Sequence, residues 1–320
     1  AVKFWMHSIK QNKIIFIVGP TAVGKSEVAF YVAQAIRGEI ISCDAMQVYK
    51  EINIASNKPG DEMTEKIKHH LIGFCPISQE FNVAQFNEDV FLTIQDIYSR
   101  KCIPIIVGGS GMYMKILLDG IFQGEGKNEE LRKELNCQAQ RYGNQFLYDK
   151  LKERDPAAAE KIHPNDIRRV VRALEVCMDK NIPMSQRQKE CQGLWGQYDI
   201  RMFMLDCDRE RLYHLINERV EKMFQEGIIE EIKMLNDVTW GKTAQKIIGM
   251  QEIQGFLKGD HNLQTAKDLM KMNTRRLAKR QMTWFRGEKR LEWIIIEETD
   301  TLIEVARTIV DEWHSQGVKR

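Results

Sequence analysis

The chain lacks any apolar run approaching the roughly 18 residues needed for a membrane-spanning helix. Ala1 to Lys10 also lacks the apolar stretch of a signal peptide. Cytoplasmic localisation without membrane contact is therefore expected. Cysteine is sparse and unpatterned. The seven residues, at 43, 75, 102, 137, 177, 191 and 207, are odd in number and contain no C-x-x-C pair. That argues against a structural zinc site and a disulfide framework and suits free thiols in a reducing compartment. Excess charge is missing too. The 320 residues carry a formal net charge of only +2, so a nucleic-acid surface must come from local clustering. Internal repeats and low-complexity tracts are absent. What remains, 43% hydrophobic and 29% charged residues, is enough for a sizeable soluble core over about two domains.

The order of elements points to an α/β fold. Ile14 to Val18 is a short β-branched run and reads as a buried strand. Glu39–Ser42 and Ile103–Val107 read likewise, with Pro104 near the start of its strand. Between them Val83, Phe86, Val90, Ile94 and Ile97 recur at helical spacing. Alternating strands and helices predict a parallel sheet covered on both faces. From 128 to 197 the pattern is helical, with hinge candidates at Gly124 and Gly126 and at Gly193 and Gly196. The expected organisation is a core of 10–123 and 198–320, interrupted by a helical insertion at 124–197. Arg201–Leu205 and Trp293–Ile296 predict the later strands.

Gly19, Pro20, Thr21, Ala22, Val23, Gly24, Lys25 and Ser26 match G-x-x-x-x-G-K-[ST] at every defined position, between a predicted strand and a predicted helix. Such a loop turns successive N–H groups inward, adds the positive end of a helix, and places a lysine beside phosphate oxygens. Ser26 is the expected Mg²⁺ ligand. A nucleotide hydrolase also needs a strand-end acid. Val107 runs into Gly108-Gly109 without one. Asp206 ends a later strand and resembles such an acid, but Asp206-Cys-Asp-Arg-Glu equally reads as the N-terminal cap of the next helix. Asp44 follows the second strand, where an acid beside the loop could accept a proton, position a nucleophile or bind metal. Gln47 and Tyr49 either present polar groups to a base edge or pack. Adjacent His69 and His70 do not share a helix face, so they read as structural or RNA-facing rather than as metal ligands.

Two basic clusters stand out. Nine Lys/Arg and two acids lie between Lys267 and Arg290. Arg276 with Arg280, and Arg275 with Lys279, are spaced four apart and predict a helix face able to follow a phosphate backbone. Arg168, Arg169 and Arg172 fall in the first turns of another predicted helix, where cations oppose the dipole. Two functions fit parts of these features without further information: a small-metabolite kinase, which accounts for the loop and the acid but not the basic helix, and an RNA-binding ATPase with Asp206 as its metal acid.

In order along the chain, Gly19–Ser26, Asp44-Ala-Met-Gln-Val-Tyr49, Val107-Gly-Gly-Ser-Gly-Met-Tyr113, Ile162-His-Pro-Asn-Asp166, Arg172-Ala-Leu-Glu-Val176, Ile248-Gly249 and Leu277-Ala-Lys-Arg-Gln-Met-Thr-Trp-Phe-Arg286 resemble the tRNA dimethylallyltransferases, a prenyltransferase family. The resemblance spans about Ile14 to Arg290. It implies a P-loop NTPase-like core that holds a diphosphate instead of hydrolysing a nucleotide. The substrates it implies are dimethylallyl diphosphate and a tRNA anticodon stem-loop, with transfer to N6 of the adenine just 3′ of the anticodon. It further implies Mg²⁺ as cofactor and a monomer. Carried over by motif, Asp44 is the base and Gly19 to Ser26 the diphosphate cradle, with Lys25, Ser26 and Arg219 assisting. The implied tRNA contacts are Asp44, Ala45, Met46, Gln47, Ser110, Arg132, Arg168, Arg169, Val170, Val171, Arg172, Lys246, Ile247, Ile248, Gly249, Met250, Gln251, Lys279, Arg280, Gln281, Met282, Thr283, Trp284, Phe285 and Arg286. Ser110 stands where the family has Thr, Met250 where Tyr is common, and 53–59 departs from Gly-Thr-Ala-Lys-Pro. No zinc finger of the eukaryotic type is present, which fits the bacterial type.

Overall fold

A computed structural model describes residues 12–121, 128–180 and 182–315. Gly124, Gly126 and the first ten residues lie outside that range. Six strands form one sheet: β1 (Lys13–Val18), β2 (Gly38–Ser42), β3 (His69–His70), β4 (Ile103–Gly108), β5 (Asp199–Cys207) and β6 (Glu292–Ile296). Their order is β3-β2-β4-β1-β5-β6, and every pairing is parallel. This is the parallel sheet with flanking helices anticipated from the alternation of elements. β1 and β2 are apolar almost throughout because both faces are covered. Ile14, Ile15, Phe16 and Ile17 are completely buried, each contributing about 1.5–3 kcal/mol of burial free energy.

The first unit, residues 1–115 with 195–320, contains the whole sheet. Its helices are α1 (Lys25–Ile36), α2 (Asp61–Lys66), α3 (Val83–Ser99) and the start of α4 (Gly111–Asp119). The second unit, residues 116–194, contains α5 (Glu129–Tyr142), α6 (Asn144–Arg154), α7 (Pro156–Ala159), α8 (Ile167–Lys180) and α9 (Met184–Lys189). After it the first unit resumes with α10 (Arg209–Gln225), α11 (Ile228–Met234), α12 (Met250–Lys258), α13 (Leu263–Arg286) and α14 (Leu302–Ser315).

Local chemistry sets the helix ends. Asn82 caps α3 by accepting from the Ala84 and Gln85 amides, and Gln85 returns the bond in a capping box. Buried Phe86, Val90, Ile94 and Ile97 on α3 repeat at the spacing seen in the sequence. In the second unit, α5, α6 and α8 close around Leu135, Leu147, Leu151, Val170 and Leu174. Gly193 fits there because its α-carbon backs onto Leu118; an added β-carbon would sit 2.2 Å from that carbonyl oxygen.

The histidine pair keeps its structural reading but not its helical setting: His69 and His70 form β3, a two-residue edge strand. Their side chains consequently point to opposite faces. His70 Nε2 lies 2.6 Å from Glu39 Oε2, and Arg100 binds Glu39 through both oxygens at 2.8 and 2.7 Å. Burial alone would raise the Glu39 carboxyl, but Arg100 and His70 hold it down to about 2. The pair is therefore structural on the His70 side. Among the described residues, no group of three His, Cys, Asp or Glu could hold a metal ion. No described helix is long and apolar enough to cross a membrane.

Candidate active site

Because the strands are parallel, β1, β2, β4 and β5 deliver their following segments to one edge of the sheet. That edge is where ligands bind in open α/β sheets. Residues 19–26 follow β1, 43–47 follow β2 and 109–111 follow β4. The loop after β1 turns with Ala22 at φ 71° and Gly24 at φ 96°, both in the left-handed region. Gly19 permits a close approach, since a β-carbon would come within 2.5 Å of the Leu205 carbonyl oxygen on β5. The loop then feeds directly into α1, whose first residues are Lys25 and Ser26.

Lys25 Nζ donates to the Pro20 carbonyl at 2.6 Å, which folds the side chain back over the loop. Burial, then the neighbouring Arg219 charge, push the Lys25 amine down to about 7, against a smaller opposing pull from Asp44. Arg219 reaches the site from the third turn of α10. Burial lowers its guanidinium to about 10, while Asp44 acts the other way. Its Nε is sealed from solvent without a hydrogen-bond partner. Two crowded cations beside a phosphate loop are poorly served by water and by each other. An anion with several oxygens relieves both defects at once.

Asp44 heads a tight turn by accepting from the Met46 amide at 2.8 Å through Oδ1. The side chain is half-buried, and its charge reaches both Lys25 and Arg219. Gln47 is engaged on both sides: Oε1 accepts from Ser42 Oγ at 2.7 Å, and Nε2 donates to the Asn57 carbonyl at 2.9 Å. Of the two roles open to Tyr49, packing is the one observed, since the ring is fully buried. Ser110 is half-buried, and its carbonyl begins α4 by accepting from the Met114 amide.

α13 divides into an anchoring face and a free face. Gln281 Oε1 accepts from the Thr21 amide at 2.8 Å, so this helix holds the phosphate loop from outside. Gly109 and Gly111 are bare where α13 comes close: their β-carbons would fall 2.3 Å from Gln281 Nε2 and from the Trp284 ring. Arg275 is bound to Asn217 of α10 at 2.8 Å, and Lys267 and Lys271 each reach Glu221 at 2.6 Å. Arg276, Lys279, Arg280, Thr283 and Arg286 are exposed. Pairing by spacing alone had put Arg275 in the exposed stripe; it belongs to the anchor.

Several side chains carried over as tRNA contacts are buried and do not present themselves to a macromolecule. These are Val170, Val171, Ile247, Met250, Met282 and Phe285. Each occupies the inward position of its segment. Ala45 and Met46 are half-buried in the Asp44 turn, and Ile248 is half-buried beside buried Gly249. Lys246 and Gln251 are exposed. In the helical unit, Arg168 is exposed, Arg169 pairs with Asp166 at 3.2 Å, and Arg132 and Arg172 converge on buried Glu175 at 2.8 and 2.6 Å.

Segment 206–210 does cap α10, and Asp208 supplies the cap by accepting from the Glu210 and Arg211 amides. Asp206 instead bonds the adjacent Cys207 amide, and burial raises its carboxyl. Sequence reasoning missed Glu231 and Glu252. Glu252 is buried, accepting from the Gly249 amide and from Asn273 Nδ2 on α13. Its place three residues after Gly249 was a readable capping signal. Nothing in the sequence pointed to Glu231.

These features define a P-loop protein whose cradle faces a carboxylate and is backed by a basic helix. The sequence model of the IPP transferase family matches residues 47–288. A tRNA dimethylallyltransferase of Acetivibrio thermocellus is 40% identical over 293 residues, covering 91% of this chain and 94% of that protein. The crystal structure of a tRNA isopentenylpyrophosphate transferase from Bacillus halodurans superposes with TM-score 0.69 at 35% identity, covering 96% of this chain and 98% of that one. A eukaryotic dimethylallyltransferase acting on tRNA gives TM-score 0.80 at 28% identity, over 95% and 80% of the two chains. The chain belongs to the IPP transferase family.

Proposed function

We propose that this chain transfers the dimethylallyl group of dimethylallyl diphosphate to N6 of the adenine 3′-adjacent to the anticodon of tRNA, acting as a monomer. Family membership supports the reaction class. The observation that carries the site reading is the pair of half-buried cations, Lys25 and Arg219, whose charges act on each other and on Asp44 at the mouth of the phosphate loop.

An exocyclic aromatic amine is a weak nucleophile, so the reaction needs a good leaving group. In this reading, the loop amides, Lys25 and Arg219 receive the diphosphate and neutralise charge as the C1–O bond breaks. Preorganised donors of this kind are worth about 3 kcal/mol each in the transition state. Asp44 accepts the N6 proton as the new C–N bond forms, leaving dimethylallyl-adenine and diphosphate. The adenine must leave its stack to reach Asp44, at a cost of a few kcal/mol. Single-stranded loops make that easiest. Ser26, next to Lys25 in the first turn of α1, would offer Mg²⁺ its hydroxyl, a hard oxygen donor of the kind that ion takes. When bound, it would supply further neutralisation of diphosphate charge. The exposed side of α13, with Arg276, Lys279, Arg280 and Arg286, follows the RNA backbone.

Incubation with tRNA and dimethylallyl diphosphate, followed by nucleoside mass analysis, tests the reading. Wild-type protein adds one C5 group to an adenosine. Asp44→Asn abolishes the transfer while tRNA still binds. Near-normal turnover in that variant would remove Asp44 from the role.

A further inference from the structure

The segment that bears Asp44 does not hold its shape alone. Residues 53–55 turn three consecutive backbone N–H groups in one direction, an arrangement that binds anions. A single carboxylate occupies it. Glu231 of α11 accepts from the Asn53 and Ile54 amides through Oε2, at 2.7 and 2.8 Å, and from the Ala55 amide through Oε1 at 2.9 Å. The partners are separated by 176 to 178 positions in the chain. A carboxylate taking three amide bonds is strongly held, because bonds to an ionised acceptor are roughly twice as strong as neutral ones.

The tether continues into the site. Residues 56–57 follow the anchored amides, and the Asn57 carbonyl accepts from Gln47 Nε2. Gln47 Oε1 in turn accepts from Ser42 Oγ at the end of β2, so Gln47 closes the Asp44–Gln47 turn against the strand. Lys58 Nζ locks the return, donating to the Tyr49 carbonyl at 2.6 Å and to Asn53 Oδ1 at 2.9 Å. At the other end, α11 is joined to α10 through Gly227, in the left-handed conformation, and α10 carries Arg219. One carboxylate thus ties the segment holding the acid to the helices holding a diphosphate cation.

We propose that Glu231 is a positioning residue for this reaction: it fixes Asp44 and Gln47 in register with Arg219 without touching either substrate. The inference rests on the function proposed above. Glu231→Gln keeps the side-chain volume but replaces one acceptor oxygen with a donor that faces an amide N–H. Glu231→Ala removes both acceptors.

The test measures single-turnover prenyl transfer at saturating tRNA and dimethylallyl diphosphate, with diphosphate binding titrated separately without tRNA. Small misplacement of reacting groups costs up to about 100-fold in rate. The expected result is a rate loss of about 10- to 100-fold in both variants, with dimethylallyl diphosphate affinity held within about twofold. Glu231→Asp, which retains the charge, recovers part of the rate. If Glu231→Ala fails to fold, Glu231→Gln carries the test. A folded Glu231→Gln protein with wild-type rate overturns the inference, as does an equal loss in rate and in diphosphate affinity, which marks general loosening. Absence of transfer by the wild-type chain overturns the proposed function, and the inference with it.

Discussion

Lys25 offers a direct test of how the cradle recognises its anion. Its amine is held down to about 7 by burial and by Arg219, so the free site changes charge in the neutral range. Arg219, at about 10, stays charged throughout that range. Diphosphate binding requires the ammonium form and stabilises it, so the bound amine titrates at higher pH than the free one. With a free value near 7, about nine-tenths of Lys25 is protonated at pH 6 and about one-tenth at pH 8. Affinity should therefore fall about tenfold across this interval, equivalent to about 1.4 kcal/mol. The ligand's own ionisation also changes with pH, so the informative quantity is a ratio. Lys25→Met removes the titrating charge and leaves only the ligand's contribution. Calorimetric titration of dimethylallyl diphosphate without tRNA, at pH 6, 7 and 8, gives both affinities. The wild-type advantage over Lys25→Met should shrink about tenfold from pH 6 to pH 8. An advantage that stays constant would mean that Lys25 is fully charged in the free site, and the crowding argument would fail.

Replacing exposed Arg276 and Arg280 with Ala should weaken tRNA binding and reduce the slope of log affinity against log salt by about one to two, since each lost phosphate contact contributes about 0.7–0.9. An unchanged slope would move the RNA footprint elsewhere. Glu39 gives a stability test of the sheet edge. Its carboxyl lies at about 2 in the fold against 4.5 for the free group. The folded value is depressed, so its contribution is present above about pH 4.5 and is lost as pH falls towards 2. Denaturant titrations at pH 6 and pH 3 should show a smaller acid-induced loss for Glu39→Gln than for wild type; equal losses would refute the assigned role.

Much of the site was legible because its chemistry is local. The loop at 19–26 is recognisable from residues that impose their own backbone: glycines for left-handed turns, a lysine and a serine at fixed offsets. The apolar spacing of α3 and the β–α alternation were readable for the same reason, since neighbours along the chain determine them. The His69-His70 strand was not legible. Two residues are too few for a period, and only pairing with Ile40 and Ile41 makes them a strand. Which aspartate of 206–208 caps α10 was not legible, because both lie within three residues of its start and only the hydrogen bonds distinguish them.

The sequence alone therefore determined the phosphate cradle, the acid that follows β2 and the order of the sheet's principal elements. Each is encoded by turn geometry or periodicity over a few residues. Tertiary structure decided which cations crowd beside that cradle, which side of α13 is free, and what fastens the loops. Thr21 is held by Gln281 across 260 positions, and the Asn53 amide by Glu231 across 178. Such contacts leave no local pattern. Burial, too, which drives Lys25 towards neutrality, exists only once distant segments have packed around it.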